Sequence, residues 1–290
     1  MATVWELDFY SRPVLDENQK KLWEVLLCEG LVDSQTDTTQ TFRYSKFLPS
    51  SDVNSITLKE AIEEAIAEAT RQGILPPSRI RYFRYQMQNM IVRACEDAGI
   101  PVRPSRRTLA LQAWLRDRYQ TVYPHMDGYT TVPSPSVAAP PPSPQPLPDA
   151  LLGQKWTFVT LEVAAFADLP EWEIGFGETF PLALADLAPD TPIPGLLIFS
   201  PRATALAAWM SGLELAYWRV ESSQKPEIIL ETGASDSWVL AGLPGALLAE
   251  AQAFEAAKAK ANQVHFIGIQ SGPDSESFAG FWLLQELLLG

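Results

Sequence analysis

The sequence predicts an α/β protein made of two α/β domains with mixed sheets, and three observations predict it. A chain of 290 residues with 47% hydrophobic and 20% charged content is large enough for two buried cores. Prolines crowd into one interior stretch, from Val132 to Pro148, where they form a natural divider. Short β-branched or aromatic runs alternate with helix-periodic runs on both sides of it. The expected domains are residues 1–131, a proline-rich linker at 132–149, and residues 150–290.

In the first half, Val4–Tyr10, Lys21–Cys28 and Gln40–Phe47 read as strands separated by polar segments. Thr57 and Glu60 have capping-box spacing and open a helix with an Ile62, Ala65, Ile66 and Ala69 stripe, closed by Gly73. Pro76-Pro77-Ser78 then turns into a strand over Arg79–Arg84. Alternation there predicts Arg79, Arg81 and Phe83 on one face and Ile80, Tyr82 and Arg84 on the other. The next helix has Met87, Met90, Ile91, Ala94, Cys95 and Ala98 on one side and Gln86, Asn89 and Arg93 on the other; Gly99 ends it. Pro104-Ser105 is expected to start a further helix, with Arg106 and Arg107 in its first turn, where backbone N–H groups favour anions.

The proline run reads as an extended, semi-rigid linker, because proline breaks both ladders and helix interiors. Beyond it, Lys155–Val163 and Leu196–Phe199 read as strands, and Ser200-Pro201 begins a helix running to about Gly212. Strands Leu215–Val220, Glu227–Glu231 and Trp238–Ala241 follow. A helix from Pro244-Gly245 to about Asn262 leads to strands Val264–Ile269 and Phe278–Leu284. The order β-β-β-α-β therefore occurs in each half, which is the element order of a restriction-endonuclease-like core, here degenerate.

Charge is distributed unevenly. The whole chain carries -13, but residues 1–130 hold 16 Lys/Arg against 17 Asp/Glu, and the remainder holds 6 against 18. Within the first half, Arg71 to Arg118 contains ten arginines, three acids and no lysine, a net of +7. Arginine offers a planar donor fork that grips phosphate and stacks on bases. The interleaved Tyr82, Phe83, Tyr85 and Tyr119 supply the aromatic component of a single-stranded nucleic-acid site. A solvated arginine face over core aromatics is the plainer alternative.

Other chemistry finds little support. Glu6, Asp8 and Glu24 are carboxylates on neighbouring strands that could converge on Mg²⁺, but the acid-x-lysine pair of a metal-dependent nuclease is absent. Gly175-Phe-Gly177 lacks a third glycine and a following helix, so a dinucleotide loop is not supported. There is no phosphate-binding Gly-Lys-Ser/Thr loop and no Gly-x-Ser-x-Gly elbow. Cys28 and Cys95 lie in apolar runs and read as buried thiols; His125 and His265 stand apart from other ligand types. No enzyme activity, cofactor or metal is expected. No apolar run reaches the length of a membrane-spanning helix, and the N-terminus has neither a signal nor a transit pattern, so a bacterial cytoplasm, or else an already processed chain, is expected.

Several phrases are recognisable together. They are Trp5-Glu-Leu-Asp-Phe-Tyr-Ser-Arg-Pro13, Asn54-Ser-Ile-Thr-Leu-Lys-Glu-Ala-Ile62, Ile80-Arg-Tyr-Phe-Arg-Tyr-Gln-Met-Gln88 and Pro104-Ser-Arg-Arg107. Ile193-Pro-Gly195, Leu206-Ala-Ala-Trp-Met-Ser-Gly-Leu-Glu214 and Gly280-Phe-Trp-Leu-Leu284 follow in the second half. In this joint order the chain resembles the Tab-two/Atab-two (Tab2/Atab2) family of cyanobacteria, algae and plants. The resemblance implies an RNA-binding protein that prefers A/U-rich sequence and promotes translation and assembly of photosystem subunits, photosystem I in particular. It implies a cyanobacterial cytoplasm here and a chloroplast stroma for plant and algal relatives. It also implies importance for the tripeptide Trp282-Leu283-Leu284.

The residue assignments rest on physics instead. Arg79, Arg81, Arg84, Arg93, Arg103, Arg106 and Arg107 are the candidate phosphate or stacking contacts, with Gln86 beside them. Tyr82, Phe83 and Tyr85 are candidate base platforms, at least one of which must be core. The expected partner is single-stranded A/U-rich RNA. Photosystem subunits or the translation machinery are expected as further partners; a protein-interaction scaffold for photosystem biogenesis is the alternative function, and a metal-dependent nuclease ranks behind it.

Overall fold

The computed structural model describes residues 3–31, 41–131, 143–153, 155–222 and 225–287. The chain is mixed α/β and divides into two compact units, one with the described residues up to 131 and the other with those from 143.

In the first unit, β1 (Val4–Leu15), β2 (Lys21–Glu29) and β3 (Arg43–Leu48) form an antiparallel meander. Helix α1 (Ser55–Arg71) crosses over to β4 (Arg79–Tyr82), which runs parallel to β1. Helix α2 (Gln88–Asp97) crosses to β5 (Val102–Pro104), parallel to β4, and α3 (Leu109–Thr121) follows. The sheet order is β3-β2-β1-β4-β5. Trp5, Leu7 and Phe9 of β1 face the main core, where they join Leu58, Ile62 and Ala65 of α1 and Ile91 and Cys95 of α2. Cys28 and Cys95 are buried free thiols.

Three boundaries differ from expectation for identifiable reasons. Helix α1 starts earlier than the Thr57 box because Asn54 is the cap: its Oδ1 accepts from the N–H groups of Ile56 at 3.0 Å and Thr57 at 2.9 Å. Gly73 closes it with φ 78°. The strand expected over Arg79–Arg84 stops at Tyr82, and a 3₁₀ turn at Tyr85–Met87 precedes α2. Pro104 is in β5 rather than in a helix. The Ser105 hydroxyl accepts from the Arg107 N–H at 3.0 Å, which holds a turn, and α3 begins only at Leu109. Arg106 and Arg107 therefore precede the helix.

In the second unit, β6 (Gln145–Pro146), β7 (Lys155–Glu162), β8 (Ile174–Thr179) and β9 (Pro192–Phe199) precede α4 (Ala203–Ser211). Then come β10 (Leu215–Glu221), β11 (Glu227–Thr232), β12 (Asp236–Gly242), α5 (Leu248–Lys260), β13 (Val264–Gln270) and β14 (Phe278–Gln285). One sheet has the order β10-β11-β12-β6 and the other β7-β9-β13-β14-β8. The expected β-β-β-α-β order is present from β10 to β13, but β13 pairs with β9 and β14, not with β10–β12. The order thus spans two sheets and is not one restriction-endonuclease-like core. Trp218, Leu230 and Leu240 share a core with Leu206 of α4, Phe254 of α5, and Ile267, Trp282 and Leu284.

Two details depart from the sequence reading here, and part of it is not tested. Gln145 and Pro146 pair with Trp238 and Val239, and Leu147 is buried, so this end of the proline run is tied into a sheet. Residues 132–142 of the expected linker lie outside the described residues. Strand β8 contains the rejected Gly175-Phe-Gly177. A Cβ on Gly177 would come within 2.3 Å of the Phe281 carbonyl oxygen, so glycine lets β8 approach β14.

Candidate functional site

The second face of β1 is charged rather than apolar, and α3 covers it. Glu6, Asp8 and Arg12 share this face with Glu24 of β2 and Arg81 of β4, all buried. Burying so many ions costs several kcal/mol each unless each meets an opposite charge or a hydrogen bond. Here the partners form a chain. Asp8 Oδ1 accepts from Arg84 Nε at 2.9 Å, and Asp8 Oδ2 pairs with Arg12 Nη2 at 2.9 Å. Arg12 Nε donates to Glu24 Oε2 at 2.8 Å. Glu24 also accepts from the Tyr123 hydroxyl at 2.6 Å, from the Ser45 hydroxyl at 3.1 Å and from Arg118. The Arg12 and Arg84 guanidinium groups hold the Asp8 carboxyl below the usual range, against the opposing effect of its burial.

Glu6 caps α3 from outside the helix. Its Oε2 accepts from the Leu111 N–H at 2.7 Å, while Thr108 at the N-cap makes no side-chain capping bond. Burial pushes the Glu6 carboxyl up to about 8, opposed by the Leu111 N–H and by Arg81. The carboxylates that a nuclease reading would require are thus already engaged: Glu6 by a helix terminus and Arg81, Asp8 and Glu24 by guanidinium groups.

The arginine-rich stretch divides in two around this layer. Arg81, Arg107 and Arg118 are buried, and Arg84 is mostly so. Tyr82 is fully buried among core residues and Phe83 nearly so; neither ring is open to a base. The predicted alternation fails at Arg84. With the strand ended at Tyr82, the chain turns, and Arg84 reaches Asp8 on the same face as Arg81.

Tyr85, Gln86, Asn89, Arg93 and Arg103 are exposed, and Arg79 and Arg106 are half-buried. The sheet brings several of these together. β4 and β5 are parallel neighbours, Arg81 is in register with Arg103, and the Ser105 N–H donates to the Tyr82 carbonyl at 2.7 Å. The segments leaving both strands, Phe83–Gln86 and Ser105–Arg107, therefore emerge side by side. Arg79 stands at the opposite end of β4, in register with Val4. Sequence reasoning placed Glu6, Asp8 and Glu24 on neighbouring strands but missed their arginine partners. The available signal was Arg12, four residues after Asp8 and so on the same face of one strand.

In the second unit, Trp282, Leu283 and Leu284 are buried in β14. The Trp282 indole fills the space over Gly280 beside Ala207, so the tripeptide packs. Two buried ionisable groups lie near one end of this sheet. Lys258 Nζ pairs with Glu286 at 2.7 Å and Glu255 at 3.1 Å and donates to the Trp218 carbonyl at 3.2 Å. His265 Nε2 accepts from the Trp218 N–H at 3.1 Å, and its Nδ1 donates to the Gln263 carbonyl at 2.9 Å. Burial, with Lys258 adding to it, holds the His265 pKa well below its usual value.

Comparison with known proteins agrees with this division. A family model for the N-terminal domain of the RNA-binding protein Tab2/Atab2 matches residues 4–118, and one for its C-terminal domain matches residues 134–285. A protein from Zea mays named "Protein TAB2 homolog, chloroplastic" is 38% identical over 290 residues, covering 98% of this chain and 71% of the relative. Its namesake from Arabidopsis thaliana is 39% identical over 291 residues, covering 98% and 74%. With both domain models matched in order and each plant relative aligned along nearly all of it, the chain belongs to the Tab2/Atab2 family.

Proposed function

We propose that this protein binds single-stranded, A/U-rich RNA where β4 and β5 end, and that it promotes translation and assembly of photosystem subunits. Membership of a family described as RNA-binding supports the ligand class. One observation supports the location: the Ser105–Tyr82 hydrogen bond, which brings together the two segments that follow parallel strands. Ligands of open α/β sheets favour this carboxyl end. Tyr85 supplies an exposed ring, and Gln86, Arg103 and Arg106 supply donors. A/U-rich RNA stays unpaired, so its bases splay with little opposing cost.

The protein acts by binding, not cleavage. The second half carries 6 basic and 18 acidic residues, so it repels RNA and suits a protein partner of the translation or photosystem machinery. A cyanobacterial cytoplasm is the setting that fits the resemblance.

Fluorescence anisotropy with A/U-rich and G/C-rich single-stranded RNA, at two salt concentrations and with or without Mg²⁺, tests this reading. Salt-sensitive binding that favours A/U-rich RNA and leaves it intact is expected. Absence of binding at either salt rejects RNA as the ligand, and Mg²⁺-dependent cleavage rejects a purely binding role.

A further inference from the structure

We infer that Arg84 and Tyr85 form a one-nucleotide clamp, in which the Arg84 fork takes a phosphate, the Tyr85 ring takes the adjacent base, and Asp8 positions the fork. The inference rests on the RNA-binding reading and specifies how that site works.

Arg84 is not placed like an ordinary surface arginine. Its Nε donates to Asp8 Oδ1 at 2.9 Å, and Asp8 is fully buried and fixed from its other oxygen by Arg12. The guanidinium carbon lies 4.1 Å from the centre of the Tyr10 ring and 4.7 Å from that of Phe83. The cation is therefore set against two aromatic rings, a favourable arrangement. Only 12% of the side chain remains at the surface.

The ion pair with Asp8 uses Nε, which keeps the Nη donors at the far end of the fork for a ligand. A flexible arginine loses rotamer freedom when it grips a phosphate, whereas this one is held in a single orientation beforehand.

Tyr85 follows directly and is 57% exposed. Three backbone features set its place: β4 ends at Tyr82, the extended Arg84 has ψ 94°, and a 3₁₀ turn begins at Tyr85. The arrangement reads backbone and base face, not base edges, so it tolerates different bases and selects for unstacked RNA.

The test measures affinity of the full chain for an A/U-rich single-stranded oligonucleotide by fluorescence anisotropy across a salt series. The variants are Arg84→Lys, Tyr85→Ala and Asp8→Asn, each checked for folding by circular dichroism. Arg84→Lys keeps the charge but removes the planar fork; a loss of about tenfold with an unchanged salt slope is expected. Tyr85→Ala is expected to lose about tenfold as well. Asp8→Asn raises the net charge, so simple attraction predicts tighter binding, whereas the clamp predicts weaker binding.

If wild type binds but Arg84→Lys is unchanged, or Asp8→Asn binds more tightly, the clamp is wrong while RNA binding stands. If wild type itself does not bind, both readings fail. Should Asp8→Asn not fold, the Arg84 and Tyr85 variants decide the matter without it.

Discussion

Arg12 Nε and Glu24 Oε2 meet at 2.8 Å with neither side chain exposed to solvent. Arg12 also pairs with Asp8, so one guanidinium stands between two buried carboxylates on adjacent strands. Its loss would leave each of these buried carboxylates with one cationic partner fewer, Arg84 remaining for Asp8 and Arg118 for Glu24. Arg12→Met is expected to destabilise the first unit by about 3–5 kcal/mol, near the cost of breaking a buried ion pair from one side. Urea denaturation followed by circular dichroism measures it; a loss below about 1 kcal/mol would mean that the layer is internally hydrated.

Trp282 fills its cavity so closely that a Cβ on Gly280 would lie 2.6 Å from the indole. Trp282→Ala is expected to cost about 3–5 kcal/mol of stability. The folded fraction should bind RNA as wild type does, because the side chain is buried in the second unit. Anisotropy below the unfolding transition separates the two effects.

Glu6 gives the first unit a distinctive response to pH. Its carboxyl is pushed from 4.5 to about 8 by burial, against the Leu111 N–H and Arg81. Between those values the folded chain holds a proton that the unfolded chain has released. This contribution is fully present below 4.5 and is lost as pH rises through about 8. Glu6→Gln keeps an oxygen for the Leu111 N–H and removes the titration. The variant should unfold with a flatter pH profile over this range, and be at least as stable as wild type at its upper end.

His265 acts in the opposite direction, in the second unit. Its pKa is lowered by burial and by Lys258, so the unfolded chain takes up a proton near 6.5 that the folded chain refuses. Stability from this residue is present above about 6.5 and lost as pH falls below it, by up to about 1.4 kcal/mol per pH unit. Thermal unfolding at about pH 7 and about pH 5.5 should show this loss in wild type and much less of it in His265→Gln.

The arginine stretch shows what a sequence can and cannot convey. Composition identifies it, and Arg93, Arg103, Tyr85 and Gln86 do stand exposed. Composition cannot show that Arg84 would meet Asp8, 76 residues earlier, or that Arg118 would meet Glu24, 94 residues earlier. Local pattern located most strands and helices, because apolar periodicity is written within each element. It failed where an end is fixed from afar: α3 starts after Thr108 because Glu6, in β1, receives the Leu111 N–H. It also failed at β8, whose glycines resemble a loop until β14 lies beside them.

The placement of β14 bears on synthesis order. Among the described residues β8 has β14 as its only sheet neighbour, and β14 also completes β13 from the other side. Ile174 and its register partner Phe278 are about 100 residues apart in the chain. During translation β8 therefore emerges long before the strand it needs, and spends that interval with both edges open. The five described strands of the first unit all come from residues 4–104, so it can close while the second is still being made. Chaperone dependence should accordingly fall on the later half, and a ribosome stalled before Phe278 should carry one finished unit and one waiting for the strand that joins β8 to β13.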